Sequence, residues 1–244
     1  ASSEMKTVAI VVAGGRGDRM KASIPKQFML LQHREIFVRS VEIFHGSDLI
    51  DGVVLVMHPD WMEAAGRILD KYGIDSVGIV PGGETRQESV YRGLCSIEYE
   101  GFDTVLIHDA ARPLFSAFQI PDLLKTVEKG LGVVVVEPLS DTVYITDHGS
   151  VVGIPDRANL RAAETPQTFR YEDIFAAHRK AIDENLTSST DDARLLLNNG
   201  CKIVTLDSLT RNMKITGPQD LEIAELLLKS RAKTKGESFD SPIE

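Results

Sequence analysis

The sequence predicts an α/β protein built as a three-layer sandwich on a mainly parallel sheet, with a β-hairpin arm protruding from it. Three observations carry that prediction. Short runs rich in valine and isoleucine recur along the chain, segments with helical spacing separate them, and one stretch, 138–160, breaks the rhythm. Strands buried on both faces read as unbroken apolar runs, and their alternation with amphipathic helices marks a parallel sheet covered on both sides.

The runs are VAIVVA (8–13), GVVLVM (52–57), SVGIV (76–80), TVLIH (104–108) and GVVVVE (132–137). Trp61, Ala65, Ile68, Leu69 and Tyr72 share one helical face between the second run and the third, as do Val90, Leu94 and Ile97 between the third and fourth. In DTVYITDHGSVVGIP (141–155), polar and apolar residues alternate around DHGS, which predicts a hairpin turning near Gly149. A two-stranded ribbon is marginal alone and its edges invite another chain. The 138–160 segment is therefore read as a dimerisation arm, although the pattern also allows a hairpin lying on its own domain. A helix near 171–184, another near 191–199 capped by Thr190 or Asp191, a strand CKIVTL (201–206) and a helix from Pro218 to about Lys229 follow. No internal repeat is present. One domain over 5–232 is expected, with a frayed end before Met5 and a disordered polar tail over 233–244.

Composition narrows the function. The 244 residues are 43% hydrophobic and 26% charged, ordinary for a chain that buries one sizeable core. A formal net charge of −9 argues against general nucleic-acid binding, which leaves a basic footprint over a face. No apolar run reaches the roughly 18 residues of a membrane helix and no signal-peptide pattern opens the chain, so a cytoplasmic protein is expected. Cys95 and Cys201 form no CxxC pair and read as small buried hydrophobes. None of the six histidines has metal-ligand spacing, and His108, at a strand end, is assigned to the scaffold.

Against that acidic background the first loop is cationic. AIVVAGGRGDRMKASIPKQF (9–28) gathers Arg16, Arg19, Lys21 and Lys26 around one acid, Asp18. Gly14, Gly15 and Gly17 let backbone N–H groups approach an anion without Cβ interference, and the loop after the first strand opens at the carboxyl edge where α/β sheets bind ligands. Together they favour a polyphosphate. The string GxxxxGK[ST] is absent, which removes a P-loop, and the dinucleotide fingerprint fails at Met20 and at His58, where an acid is required. A loop of solvated cations is the plain alternative, weakened by Pro25-Lys26-Gln27, which ends the loop stiffly with a further cation.

AGGRGDRM with PKQF resembles the signature loop of nucleotidyltransferases, and six more strings narrow the match: PGGETRQESV (81–90), IHDAARP (107–113), DTV (141–143), ETPQTF (164–169), STDDA (189–193) and NMKITGPQDL (212–221). In that order, from Met5 to Lys229, they resemble the 2-C-methyl-D-erythritol 4-phosphate cytidylyltransferases. Ribitol-5-phosphate cytidylyltransferases share most of the same strings, and a non-catalytic nucleotide-binding protein is the alternative of a different class. The resemblance implies a Rossmann-like nucleotidyltransferase fold, a homodimer, and attack by a polyol phosphate on the α-phosphorus of CTP with Mg²⁺ assisting. A phosphate monoester is largely ionised at neutral pH, so no general base is required, and the work falls to positioning and charge stabilisation.

By the resemblance, Arg19, Lys26, Lys214 and Arg157 are the catalytic residues, Arg19 and Lys26 neutralising charge at the α-phosphate and on departing pyrophosphate. Ala13, Gly14, Gly15 and Gly17 would hold the triphosphate. Gly82, Gly83, Glu84 and Ser89 would read cytosine, although pattern alone makes this stretch a strand-to-helix turn capped by Glu84 or Thr85. Asp109 and Ala110 would lie by the ribose, with Asp109 the one candidate for Mg²⁺, while Arg112 braces the loop. Thr142, Arg157, Thr165, Thr190 and Lys214 would hold the acceptor, Arg157 coming from the partner's arm if the site is shared. Asp18 is expected to pair with Arg16 or Arg19.

Overall fold

The computed structural model describes residues 5–14, 24–187 and 189–235, with only the backbone of the last three. Strand β1 (Thr7–Ala13) is followed by a small antiparallel pair, β2 (Leu30–Leu31) and β3 (Arg34–Glu35), and by α1 (Ile36–His45). Next come β4 (Gly52–Met57), α2 (Met62–Lys71), β5 (Val77–Pro81), α3 (Arg86–Ser96) and β6 (Thr104–Asp109). A short α4 (Ile120–Thr126) leads to β7 (Leu131–Pro138), and the arm carries β8 (Ile145–Asp147) and β9 (Ser150–Gly153). The chain then runs through β10 (Arg161–Arg170), α5 (Tyr171–Asp183), α6 (Asp192–Asn198), β11 (Lys202–Asp207) and α7 (Pro218–Lys235).

Seven strands form one sheet in the order β11-β7-β10-β6-β1-β4-β5. β10 is antiparallel to both its neighbours, and the other pairings are parallel. Successive residues of β1 serve opposite faces, as the twofold period of a strand requires. Ala9 and Val11 pack with α1, α2 and α4 through Phe37, Phe44, Leu69 and Leu123, and Val8 and Ile10 pack with α3, α5 and α6 through Leu94, Ile174 and Leu195. Burial of a side chain such as Phe37 or Phe44 contributes about 2 kcal/mol each. A third cluster seats α7 against β2 and α1 through Leu31, Ile36, Ile215 and Ala224.

The expected strands and helices are present with boundaries shifted by a residue or two, and the hairpin turns at His148 and Gly149, both at positive φ (43° and 82°). α7 runs past the expected Lys229 to Lys235, so the tail expected from 233 begins as helix, and residues 236–244 and 1–4 lie outside the described residues. The pattern left β10 unassigned because Pro166 interrupts it, and a proline demotes a run from strand status. The ladder makes room: register with β7 shifts between Ala163 and Gln167. Cys95 and Cys201 are free thiols, partly exposed rather than buried. No helix among the described residues is long and apolar enough to cross a membrane.

Candidate active site at the carboxyl edge of the sheet

Parallel register aligns Ala13 with Met57, Met57 with Pro81, and Val12 with Asp109, so the first loop, the second glycine turn and Asp109 share one edge. Two glycines meet there. A Cβ on Gly14 would lie 2.8 Å from Ser89 Oγ, and one on Gly82 would lie 3.1 Å from Gly14 Cα. Only bare backbone fits this contact. Ser89 Oγ accepts the Gly83 N–H at 3.0 Å and donates to the Thr85 carbonyl at 2.9 Å. The Gly82 N–H goes to the Met57 carbonyl and the Glu84 N–H to Glu88 Oε2. Thr85, not Glu84, caps α3, its hydroxyl accepting the Glu88 N–H at 3.1 Å. The three successive amides of this turn are thus committed internally, the Gly82 carbonyl accepts from Arg92 Nη1 at 2.9 Å, and the groups left for a ligand are the carbonyl oxygens that follow it and the exposed Glu84 side chain.

The Pro25-Lys26-Gln27 stretch folds as a single 3₁₀ turn, Lys26–Phe28. Gln27 reaches back to the end of β1, its Nε2 donating to the Ala13 carbonyl at 2.6 Å, while Phe28 packs between Phe37 and Trp61. Lys26 Nζ donates to the Ile215 carbonyl at 3.0 Å. This places Lys26 beside the segment that carries Lys214.

That segment is pinned at every step. Asn212 Nδ2 donates to the Thr165 carbonyl, the Ile215 N–H to the Ala111 carbonyl, and Asp220 Oδ2 accepts from the Thr216 N–H, the Thr216 hydroxyl and the Gly217 N–H. Lys214 Nζ then meets Asp109 Oδ2 at 2.6 Å, and Arg86 Nε meets Asp109 Oδ1 at 2.9 Å. Burial alone would raise the Asp109 carboxyl, but the Arg86 and Lys214 cations outweigh it and hold it far below the usual carboxylate range.

Behind Asp109 lies a bracing network. The Asp109 N–H donates to Thr165 Oγ1 at 3.0 Å, Thr165 Oγ1 pairs with His108 Nδ1 at 3.1 Å, and His108 Nε2 meets the Arg112 carbonyl at 3.0 Å. Arg112 reaches the Asn212 carbonyl at 2.7 Å and Glu164 at 3.4 Å, which is the loop-bracing role expected of it. The buried His108 ring is scaffold, its pKa lowered to about 4 by burial.

With this geometry in place, the profile described as 2-C-methyl-D-erythritol 4-phosphate cytidylyltransferase matches residues 7–230. The chain belongs to that family. Curated relatives bearing the same description include one from Clostridioides difficile (strain 630), 38% identical over 222 residues that cover 90% of this chain and 92% of the relative. One from Geobacter metallireducens is 36% identical over 231 residues, 93% and 99% of the two chains. Among solved structures, a 4-diphosphocytidyl-2C-methyl-D-erythritol synthase from Anaerococcus prevotii superposes with TM-score 0.81 at 25% identity, covering 92% of this chain and 96% of the other. The 2-C-methyl-D-erythritol 4-phosphate cytidylyltransferase of Francisella tularensis gives 0.77 at 30% identity, covering 91% and 99%.

In this cytidylyltransferase-family chain the expected residues divide into three groups. Ala13, Gly14, Lys26, Gly82, Gly83, Glu84, Asp109 and Lys214 gather at the sheet edge. Gly15, Arg16, Gly17, Asp18, Arg19 and Lys21 lie outside the described residues, as does the expected Asp18 pairing. The acceptor set is not drawn together. Thr142 and Arg157 are exposed in the arm, where Arg157 bonds the Ser140 carbonyl, and Thr190 is exposed beside Asp191, which is the residue that caps α6. Thr165 is buried, its hydroxyl accepting the Asp109 N–H and pairing with His108 Nδ1, which ties it into the scaffold behind Asp109. Ala110 likewise spends its N–H on the Val12 carbonyl and its carbonyl on Ser40. Sequence reasoning passed over Arg86, Asp192 and Gln27, although each sits inside a quoted motif: the partners of Arg86 and Asp192 lie far away along the chain, and that of Gln27 is a backbone carbonyl, which no side-chain pattern reveals.

Proposed function

We infer that the chain transfers the cytidylyl group of CTP to 2-C-methyl-D-erythritol 4-phosphate, giving 4-diphosphocytidyl-2-C-methyl-D-erythritol and pyrophosphate. The observation that carries this reading is the convergence of Lys26 and Lys214, from opposite ends of the chain, on the carboxyl edge beside Gly14 and Gly82. Two fixed ammonium groups there suit a reaction between two phosphate-bearing substrates. A phosphate oxygen of the acceptor attacks the α-phosphorus, the bond to the β-phosphate oxygen breaks, and pyrophosphate departs. Because the nucleophile arrives ionised, the residues need only orient it and take up charge.

Lys26, with Arg19, neutralises the triphosphate as negative charge moves onto the leaving group, and Lys214 receives the acceptor phosphate. Gly14, with Gly15 and Gly17, lets the triphosphate approach the backbone. At the second glycine turn the carbonyl oxygens and Glu84 suit a donor on the base, which fits the exocyclic amine of cytosine. No cluster of three metal-ligating side chains occurs among the described residues. Among the described residues Asp109 would hold Mg²⁺, and a carboxylate paired with two cations still has lone pairs for a metal bound mainly by phosphate oxygens and water. When bound, Mg²⁺ supplies charge neutralisation on those phosphates.

The arm supports a homodimer. Tyr144, Ile145, Val151, Val152 and Ile154 are each at least half exposed, an apolar ribbon that a second copy of the chain would cover. A cytoplasmic location accords with this chemistry, since CTP is an intracellular substrate. The test is pyrophosphate release with Mg²⁺, crossing CTP, UTP, ATP and GTP against methylerythritol phosphate and ribitol 5-phosphate. Turnover is expected with CTP and methylerythritol phosphate. Faster turnover with ribitol 5-phosphate moves the assignment to that acceptor, and no release with any pair overturns the reading.

A further inference from the structure

Asp109 and Lys214 belong to a longer chain of ion pairs and hydrogen bonds that runs from the sheet edge through α3 to α6 and α5. Lys214 Nζ meets Asp109 Oδ2 (2.6 Å), Asp109 Oδ1 meets Arg86 Nε (2.9 Å), Arg86 Nη1 meets Asp192 Oδ2 (2.7 Å), and Asp192 Oδ1 meets His178 Nε2 (3.0 Å). Asp192 and His178 are fully buried, Asp109 nearly so, and Lys214 is the most exposed member. Arg86 is therefore shared between two carboxylates, one at the site edge and one at the start of α6. Nothing in the reaction requires this of Arg86. Its guanidinium fork suits the task, because its separate N–H groups address both acids at once.

We propose that Arg86 is a positioning residue for acceptor binding: by sharing the Asp109 carboxylate with Lys214, it keeps that ammonium exchangeable, so that an incoming phosphate monoester can take it over. The proposal rests on Lys214 being the acceptor-phosphate ligand. If Arg86 were absent, Lys214 would be the only cation paired with Asp109 among the described residues. Moving Lys214 to a substrate would then leave a nearly buried carboxylate with no protein cation beside it, dependent for counter-charge on a metal bound mainly by phosphate oxygens, which is a costly arrangement for a protein interior. With Arg86 in place, Asp109 keeps a partner whichever way Lys214 turns. Asp192 works against this arrangement, since it draws Arg86 away from Asp109.

That opposition gives a test that a purely structural role would not pass. Steady-state kinetics on the full chain should separate the two substrates. In Arg86→Gln the KM for methylerythritol phosphate rises at least tenfold while the KM for CTP stays within about threefold. Arg86→Lys, which keeps a cation but cannot address both carboxylates, gives an intermediate acceptor KM, at least threefold raised, and decides the matter if the glutamine variant does not fold. In Asp192→Asn, Arg86 turns wholly to Asp109 and the acceptor KM falls or stays within twofold. The proposal is overturned if the Arg86 variants leave acceptor KM within twofold of the parent, or if Arg86 and Asp192 variants raise both KM values together. Failure of the functional reading itself appears separately, as an unmodified chain that releases no pyrophosphate.

Discussion

His108 offers a quantitative check on the network behind the site. Its ring is fully buried, with the rings of Phe44 and Phe115 at 5.1 and 5.7 Å between centroids. The hydrogen bonds fix its tautomer. Thr165 Oγ1 accepts the Asp109 N–H, so the Thr165 proton is free to go to His108 Nδ1, and the histidine proton must sit on Nε2, facing the Arg112 carbonyl. A second proton on Nδ1 would displace the Thr165 hydroxyl from its acceptor and place a charge among aromatic rings. Burial accordingly lowers the pKa from 6.5 to about 4. In this window the unfolded chain binds the proton and the folded chain does not, so stability rises with pH. The contribution of the neutral ring is fully present above pH 6.5 and is lost as pH falls towards about 4. At about 1.36 kcal/mol per pKa unit the whole effect is about 3 kcal/mol, of which about 2 falls between pH 7 and pH 4.5. Urea unfolding at both pH values, for the parent and for His108→Gln, isolates it, because other titrating groups such as Glu164, whose pKa burial raises, are common to both chains. The parent should lose about 2 kcal/mol more than the variant on acidification. Equal losses would mean that His108 protonates freely in the folded state, and the assigned tautomer chain would be wrong.

Three further outcomes follow from the geometry. Lys26→Ala should lower kcat by a hundredfold or more with CTP affinity changed far less, measured by turnover and by calorimetric CTP titration; an unchanged kcat would remove Lys26 from the chemistry. Mixing Lys26→Ala with Arg157→Ala chains should restore part of the pyrophosphate-release activity if each arm completes the partner's site, and inactivity of mixed dimers argues against sharing. Gly82→Ala, whose Cβ would sit 3.1 Å from Gly14 Cα and 3.4 Å from the Met57 carbonyl, should cost about 1–3 kcal/mol in urea unfolding and weaken CTP binding. Full stability in that variant would show that the two glycine turns are not in rigid contact.

Where the chain carries regular apolar runs, the sequence was a sufficient guide: β1, β4, β6 and β7 were legible because both faces of each are buried, and the half-buried edge strand β5 was legible because its short run is apolar throughout. The arm was legible through alternation and a glycine turn. β10 was not, because its Pro166 and its buried Glu164, Thr165 and Gln167 mimic a loop, and what makes it a strand is pairing on both sides with β6 and β7. The site divides in the same way. Gly14, Lys26, Asp109 and Lys214 were picked out through motifs, and the structure gathers them at the carboxyl edge of the sheet. Thr165 was assigned to an acceptor from its motif, yet its hydroxyl is claimed by groups distant in sequence, a fact that only tertiary structure supplies. Arg86 escaped for the same reason: a lone arginine in a helix's first turn gives no hint of two carboxylates, 23 and 106 positions away, converging on it.

The internal pairing also bears on how an acidic protein admits two anionic substrates. A net charge of −9 spread over the surface is screened over about 8 Å at physiological ionic strength, so what an arriving phosphate meets is set by the nearest groups. Around Lys214 itself the charge is locally offset, because Lys214 pairs with Asp109 and Asp109 is itself shared with Arg86. A fully exposed, unbalanced cation cluster would bind any polyphosphate. A balanced one admits only a ligand whose phosphate outcompetes a carboxylate already held at 2.6 Å, and a dianionic monoester, with more charge and more acceptor oxygens than a carboxylate, meets that requirement. On the proposed role of Lys214, discrimination arises from competition for its ammonium within the site, and the strength of the competitor is set by how firmly Arg86 holds the other oxygen of Asp109.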